Sequence, residues 1–320
     1  LRDDYSGSGI EVMKEDSLQF HQVVKDMDPI KISTPGLGLG DNFQTSSVIA
    51  AIYDHYDKRP IINCYHPPLF EGNPKCQVGT NTGDPGNIPL HTWPMHHQPA
   101  GVRLSTSEQY NYRVGLPDAG PYRTEFYPTQ QELIWGAQTF NNLKPYITVQ
   151  YQPDPPRKFY NISPNLGRSD SDKRWMSCTD WYMDRWTEVV KATKEMGYNV
   201  VQIGCQYEEP IEGCFDARQV GVRKTFMAVG LSELLIGHES FPQFCADAMD
   251  KPCLVFITGR SCQEGQYLPT RIPIEPPEEV GCSPCWNKGI KDIDAYCPRT
   301  CMESITPDMV IGKIKEVLGG

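Results

Sequence analysis

Leu234-Leu235-Ile236-Gly237-His238-Glu239-Ser240-Phe241-Pro242-Gln243-Phe244 opens the stretch that decides the fold, and Lys251-Pro252-Cys253-Leu254-Val255-Phe256-Ile257-Thr258-Gly259 closes it. The apolar run Leu234 to Ile236 stops at Gly237 and a polar turn follows. A short helix then carries Phe244, Ala246 and Ala248, and a second apolar run, Cys253 to Ile257, ends at Thr258-Gly259. Continuous apolar runs suit strands covered on both faces, so the segment predicts a β-turn-α-β unit of a parallel sheet. Ligands of such sheets bind outside the carboxyl ends of the strands, which would put His238-Glu239-Ser240 and Thr258-Gly259 on one crevice. The helix after the turn is expected to aim free backbone N–H groups there, a seat for a phosphate or a sugar hydroxyl.

Working outward, the same alternation recurs upstream. Lys158 to Ile162 has strand character and leads into Ser163-Pro164-Asn165 and Lys173-Arg174-Trp175. A helix from Asp180 to Met196 carries the stripe Trp186, Val189, Val190 and Ala192, and the next strand, Asn199 to Ile203, ends at Gly204-Cys205-Gln206. Nearer the N-terminus, an amphipathic patch at Leu18, Phe20, Val23 and Val24 precedes a strand at Pro29 to Thr34. That strand runs into Gly36-Leu37-Gly38-Leu39-Gly40-Asp41 and a helix from Asn42 to Tyr56. Glycines there let backbone approach a ligand closely, and Asp41 stands where an N-cap belongs. Residues 66 to 115 are loop-rich; His91, His96 and His97 lie there without a usual metal-ligand spacing. Strands alternating with helices predict α/β architecture with doubly wound parallel sheets. The prolines of Pro153-Asp154-Pro155-Pro156 are the expected linker. The domains are thus placed at 1–152 and 153–305, with a C-terminal helix at 306–320 packing back toward the first.

Composition bounds the function. A chain of 320 residues can bury two cores. The formal net charge of -10 argues against a broad phosphate-binding surface, so nucleic acid is not favoured as a partner. No apolar run reaches the roughly 20 residues that span a bilayer, and the first residues lack the apolar core of a signal peptide. The expected location is the cytoplasm, with a leader upstream of Leu1 left open.

Four sets of residues, in order, resemble the heptosyltransferase-like glycosyltransferases of family 9. Gly38-Leu39-Gly40-Asp41 is similar to the motif that opens the family's acceptor domain, and Ser163-Pro164-Asn165 with Lys173-Arg174-Trp175 to its donor-domain opening. Leu235 to Gln243 with Lys251-Pro252 and Phe256 resembles the family's Asp-Ser-Gly-Pro-Met-His segment. Cys282-Ser283-Pro284-Cys285, Cys297 and Cys301 to Ile305 resemble its cysteine-bearing tail. The resemblance implies the GT-B fold, two Rossmann-like domains facing a central cleft, and an inverting transfer of sugar without a metal. Glu239 stands for the usual Asp, Phe241 for Gly, and Gln243-Phe244 for Met-His, changes that alter which sugar fits.

Transfer of a sugar from a nucleotide diphosphate (ADP-, GDP- or UDP-linked) to a saccharide hydroxyl needs a base and groups to hold the leaving diphosphate. Asp41 is the candidate base, its alternative being a helix cap. Gly38 and Gly40 shape the acceptor-side loop. Lys173 can meet the leaving phosphates or be a solvated loop lysine. Ser163, Asn165, Glu239, Ser240, Phe241, Pro242 and Gln243 are the donor-binding candidates, with Glu239 either on sugar hydroxyls or capping the helix. Gln206 competes with Glu208 and Glu209 for a nucleoside ribose. The resemblance implies that no cofactor is required for catalysis. Cys282, Cys285, Cys297 and Cys301 are spaced Cys-x2-Cys, eleven residues, Cys-x3-Cys, which suits a structural zinc or, alternatively, disulfides or free thiols. Glycosylation of a modified base in viral DNA, or sugar binding without catalysis, are the competing functions.

Overall fold

A computed structural model describes residues 9–34, 38–79, 83–90, 105–120, 122–151, 181–206, 208–257, 268–280 and 300–319, with side chains from Ser17 onward. The chain divides into two compact units, one of Leu1–Thr129 with Gln263–Pro269, the other of Gln130–Cys262 with Thr270–Gly320.

In the first unit, α1 (Gly9–Asp26) precedes β1 (Lys31–Ser33), α2 (Leu39–Tyr56), β2 (Ile61–Asn63), β3 (Gln77–Gly79), β4 (Ile88–Pro89) and α3 (Thr106–Arg113). The strands are parallel in the order β3-β2-β1-β4. They are short, and α2 is buried along almost its whole length. Its first half is polar, with Asn42, Thr45, Ser46 and Ser47 all buried. Local bonds satisfy these groups, as burial demands: Ser47 Oγ donates to the Gln44 carbonyl (2.7 Å), Thr45 Oγ1 to the Asn42 carbonyl, and the Asn42 amide to the Gly38 carbonyl (2.8 Å). Helix α3, inside the stretch expected to be loop, packs on α2 and opens with a capping box in which Ser105 and Glu108 satisfy each other's backbone N–H groups.

In the second unit, α4 (Gln130–Phe140) and β5 (Tyr146–Gln150) are followed by α5 (Met183–Glu195), β6 (Asn199–Ile203), β7 (Phe215–Asp216), α6 (Val222–Gly230), β8 (Leu235–His238), α7 (Phe241–Ala248), β9 (Cys253–Phe256), β10 (Arg271–Ile274), α8 (Thr300–Ser304) and α9 (Pro307–Leu318). All strand pairs are parallel, in the order β10-β9-β8-β5-β6-β7. The sheet buries both faces, as apolar strands in parallel sheets do. On one face Ile147, Val149, Ile236, Leu254 and Phe256 meet Trp186, Val189 and Val190 of α5 and Val310 and Ile314 of α9. On the other, α6 packs against α4 and α7, and Arg223 grips Glu132 through two bonds, Nε to Oε1 (2.5 Å) and Nη2 to Oε2 (2.8 Å).

Two expectations change. The boundary at residue 152 would leave β5 in the first domain, but β5 is the strand to which β6 and β8 both bond, so the second unit takes in α4 and β5. The C-terminal helix, expected to pack back toward the first domain, has its apolar face in the core of the second unit. Val310 and Ile314 lie in the core of the second unit, and Arg185 of α5 collects the carbonyls of Met302, Glu303 and Ile305 ahead of α9. Thr306 caps α9, accepting from the Met309 N–H (3.4 Å). Ile314→Ala should therefore cost about 2–5 kcal/mol of unfolding free energy, whereas Lys315→Ala on the exposed face should change it by less than about 0.5 kcal/mol, both read by urea denaturation with tryptophan fluorescence.

Candidate functional site

The two sheets share one order. Each unit's first strand lies between its second strand and its fourth, so β1 separates β2 from β4 and β5 separates β6 from β8. Where the chain reverses direction across a parallel sheet, the loops at the strand carboxyl ends part and leave a crevice. Ligand chemistry is therefore sought at the carboxyl ends of β1 and β4 in one unit, and of β5 and β8 in the other.

In the first unit, Gly38 is the N-cap of α2, and Asp41 occupies the first turn, not the cap. The Asp41 carboxylate folds back over Gly38: a Cβ at position 38 would lie 2.7 Å from Asp41 Oδ2. Its carboxylate makes no hydrogen bond or ion pair among the described residues. Although exposed to solvent at its tip, it is flanked by enough protein that desolvation raises its pKa. Buried Tyr110 of α3 is close enough that the carboxylate's charge adds to the upward shift that burial imposes on the phenol. Gly40 lies within the first turn, half-buried.

In the second unit, Ser240 is the N-cap of α7 and stands beside Gln150, the last residue of β5. The Ser240 hydroxyl donates to Gln150 Oε1 at 2.6 Å. Gln150 was not among the residues expected from sequence. Glu239 is turned to Arg271 of β10 (3.3 Å), in an ion pair whose side chains are 15 % and 7 % exposed. Phe241 meets Phe226 of α6 edge to face (centroids 5.6 Å apart, 82°), while Pro242 and Gln243 are buried. His238, expected on the crevice, is in the core: its ring stacks on Phe256 (5.1 Å, 27°), meets Trp186 edge-on, and is held neutral by burial, its pKa pushed down to about 3.

At the carboxyl end of β6, Gln206 is exposed and Glu208 is buried. Glu208 Oε1 accepts from the Cys205 N–H (3.0 Å), and its other oxygen fills the space a Cβ on Gly204 would need. Gly204, at φ of 153°, has no Cβ and so leaves that space to the Glu208 carboxyl group. Burial raises the Glu208 pKa to about 8, against the opposing pull of the Cys205 N–H and Arg218. The acid is thus neutral near pH 7.

Ser163, Asn165, Lys173, Thr258, Gly259, Cys282, Cys285 and Cys297 lie outside the described residues, as do His91, His96 and His97. Cys301 is buried, 2 % exposed, in the apolar core with Met302 and Ile305. Among the described residues no group of His, Cys, Asp and Glu is arranged to hold a metal ion, and no helix is long and apolar enough to cross a membrane.

No protein-family model matches the chain, and no curated protein matches it. Solved structures do. A family 9 glycosyl transferase from Veillonella parvula superposes with a TM-score of 0.65 at 14% identity, over 91% of this chain and 97% of that one. ADP-heptose LPS heptosyltransferase II of E. coli gives 0.60 at 12% identity, over 91% and 98%. The chain has the heptosyltransferase-like fold of glycosyltransferase family 9. TibC, an iron-containing dodecameric glycosyltransferase of enterotoxigenic E. coli, gives 0.62 at 18% identity, over 91% and 76%.

The neutral Glu208 sets a pH dependence. Its folded pKa is raised above the unfolded value of 4.5, so the folded chain holds a proton that the unfolded chain releases, and stability falls as pH rises between 4.5 and about 8. Glu208→Gln, which keeps the shape without the titration, should be more stable than wild type at pH 8, with the difference shrinking toward zero at pH 4. Urea denaturation at both pH values checks this.

Proposed function

We propose that the protein is a glycosyltransferase that moves a sugar from a nucleotide-diphosphate sugar to the hydroxyl of a saccharide acceptor with inversion. The single observation that carries the assignment is Asp41: a carboxylate without a described partner, its pKa raised, at the carboxyl end of the strand where the first sheet reverses. A fold alone names no reaction, but on this fold such a group suits a general base.

In the reaction proposed, Asp41 takes the acceptor hydroxyl proton as that oxygen attacks the anomeric carbon from the face opposite the nucleotide. The new C–O bond forms while the bond to the phosphate oxygen breaks, and the nucleoside diphosphate leaves with the electron pair. The first unit is the acceptor side and the second the donor side. The reversal between β5 and β8 would receive the diphosphate, helped by Lys173 from outside the described residues, and the carboxyl end of β6, with Gln206 and Glu208, would receive the nucleoside. TibC is known in complex with ADP-D-β-D-heptose, which makes ADP-sugars the first donors to try.

Asp41→Asn should lower turnover by about 100-fold or more with donor affinity nearly unchanged, measured by nucleotide release and by calorimetry. Turnover equal to wild type would reduce Asp41 to an acidic residue at a helix start. Gly38→Ala makes a subtler test. The added methyl meets only the flexible end of the Asp41 side chain, so stability should hold while the displaced carboxylate lowers turnover at least about tenfold, as small misplacements of reacting groups do.

A further inference from the structure

At the opening of α7 the backbone offers an anion less than a helix usually does. Pro242 has no N–H, and the N–H of Gln243 is engaged by the Ser240 carbonyl at 3.2 Å. Ser240 does not make up the deficit. Its single hydroxyl proton goes to Gln150 Oε1 at 2.6 Å, with the His238 carbonyl a longer second acceptor at 3.3 Å, which leaves it only lone pairs, and a phosphate oxygen also brings lone pairs. Gln150 is differently placed. Its side chain is 7 % exposed, its carbonyl accepts from Ser240, and its amide nitrogen makes no hydrogen bond among the described residues. Two N–H donors are therefore left over on a side chain held at the reversal between β5 and β8. Gly237 of β8 preserves that placement, since a Cβ there would stand 3.1 Å from both the Cβ and the Oε1 of Gln150.

Resting on the nucleotide-sugar donor argued above, we propose that Gln150, not Ser240, is the side chain that donates to the diphosphate, and that it reads the phosphate bonded to the sugar. Ser240, with lone pairs outward, accepts from a sugar hydroxyl. Gln150 is then the residue by which the second unit distinguishes a nucleoside diphosphate from a monophosphate.

Calorimetric titration of the full chain with ADP, GDP and UDP, and with the matching monophosphates, tests this. Gln150→Met keeps the size and removes the donors. It should weaken the preferred diphosphate by about 10- to 100-fold, the range of a hydrogen bond to a charged group, and the monophosphate by no more than about threefold. Gln150→Glu, which still accepts from Ser240 but sets a negative charge against the phosphate, should lose at least as much. Ser240→Ala should stay within about threefold of wild type for the nucleotide alone. Thermal unfolding of each variant separates a binding defect from misfolding. Should both Gln150 variants fail to fold, Ser240→Ala decides: retained preference for diphosphate supports the assignment, and its loss overturns it. Equal loss of mono- and diphosphate in the Gln150 variants, or affinities equal to wild type, also overturns it while leaving the glycosyltransferase reading in place. A wild-type chain that binds no nucleoside diphosphate removes both.

Discussion

The second unit is ordered by the pairing of β5 with two neighbours. β6 bonds along one edge of it from Tyr146 to Gln150, and β8 along the other at Thr148 and Val149. Because β5 is first in sequence and central in space, everything after it must go to one side or the other, and right-handed crossovers then dictate which face each helix covers. Tyr146 anchors the arrangement through its hydroxyl, which donates to the Ala228 carbonyl of α6 (2.7 Å). The crevice at Gln150 and Ser240 is a consequence of that order. A strand with neighbours on one side only would leave no reversal and no place for a ligand to enter.

Three carboxyl groups show how environment, not residue type, sets chemistry. Asp41 is accessible and has no hydrogen-bond or ion-pair partner among the described residues, and desolvation raises its pKa. Glu208 is enclosed with one N–H bond and stays protonated, so it is a hydrogen-bond donor as well as an acceptor. Glu239 is closed against Arg271, an arrangement in which burial demands a partner and removal of either residue would strand the other's charge. Sequence treats these three as equivalent acids near glycine-rich turns. Their different roles come from partners that are remote in the chain.

Much of the fold was legible for a simple reason: β8, α7 and β9 carry long apolar runs with a glycine at the break, and α5 carries its tryptophan-valine stripe in register. β5 was not, because the dense prolines that follow it suggested a linker and so a domain edge, when they follow a central strand. Helix α3 was hidden because it buries Ser107, Gln109, Tyr110, Asn111, Tyr112 and Arg113, a mostly polar run with no apolar period. Within the candidate site, Asp41 was picked out by its place after a glycine-rich loop, and the structure places it in the first turn of α2. Gln150 was not, since a glutamine at the end of an apolar strand acquires meaning only when β8 is known to lie beside it and Ser240 is found on its carbonyl.

The polar character of α2 connects the two problems of folding and chemistry. Strands of two and three residues in the first sheet cover little apolar surface, so the helix packed on them needs no apolar stripe in its first half and could not be held there by one. Hydrogen bonds take over: Asn42 is tied to Gly38 and to the Tyr65 N–H, and Ser46 to the Glu125 N–H. These bonds are directional where apolar contacts are not, and the two that reach outside the helix, to Tyr65 and Glu125, fix the rotation of α2 about its axis. That rotation decides where Asp41 points. A helix seated by apolar packing alone would turn more freely about its axis, so the cost of burying polar groups in α2 is offset by an Asp41 carboxylate whose direction is set by two bonds from outside the helix.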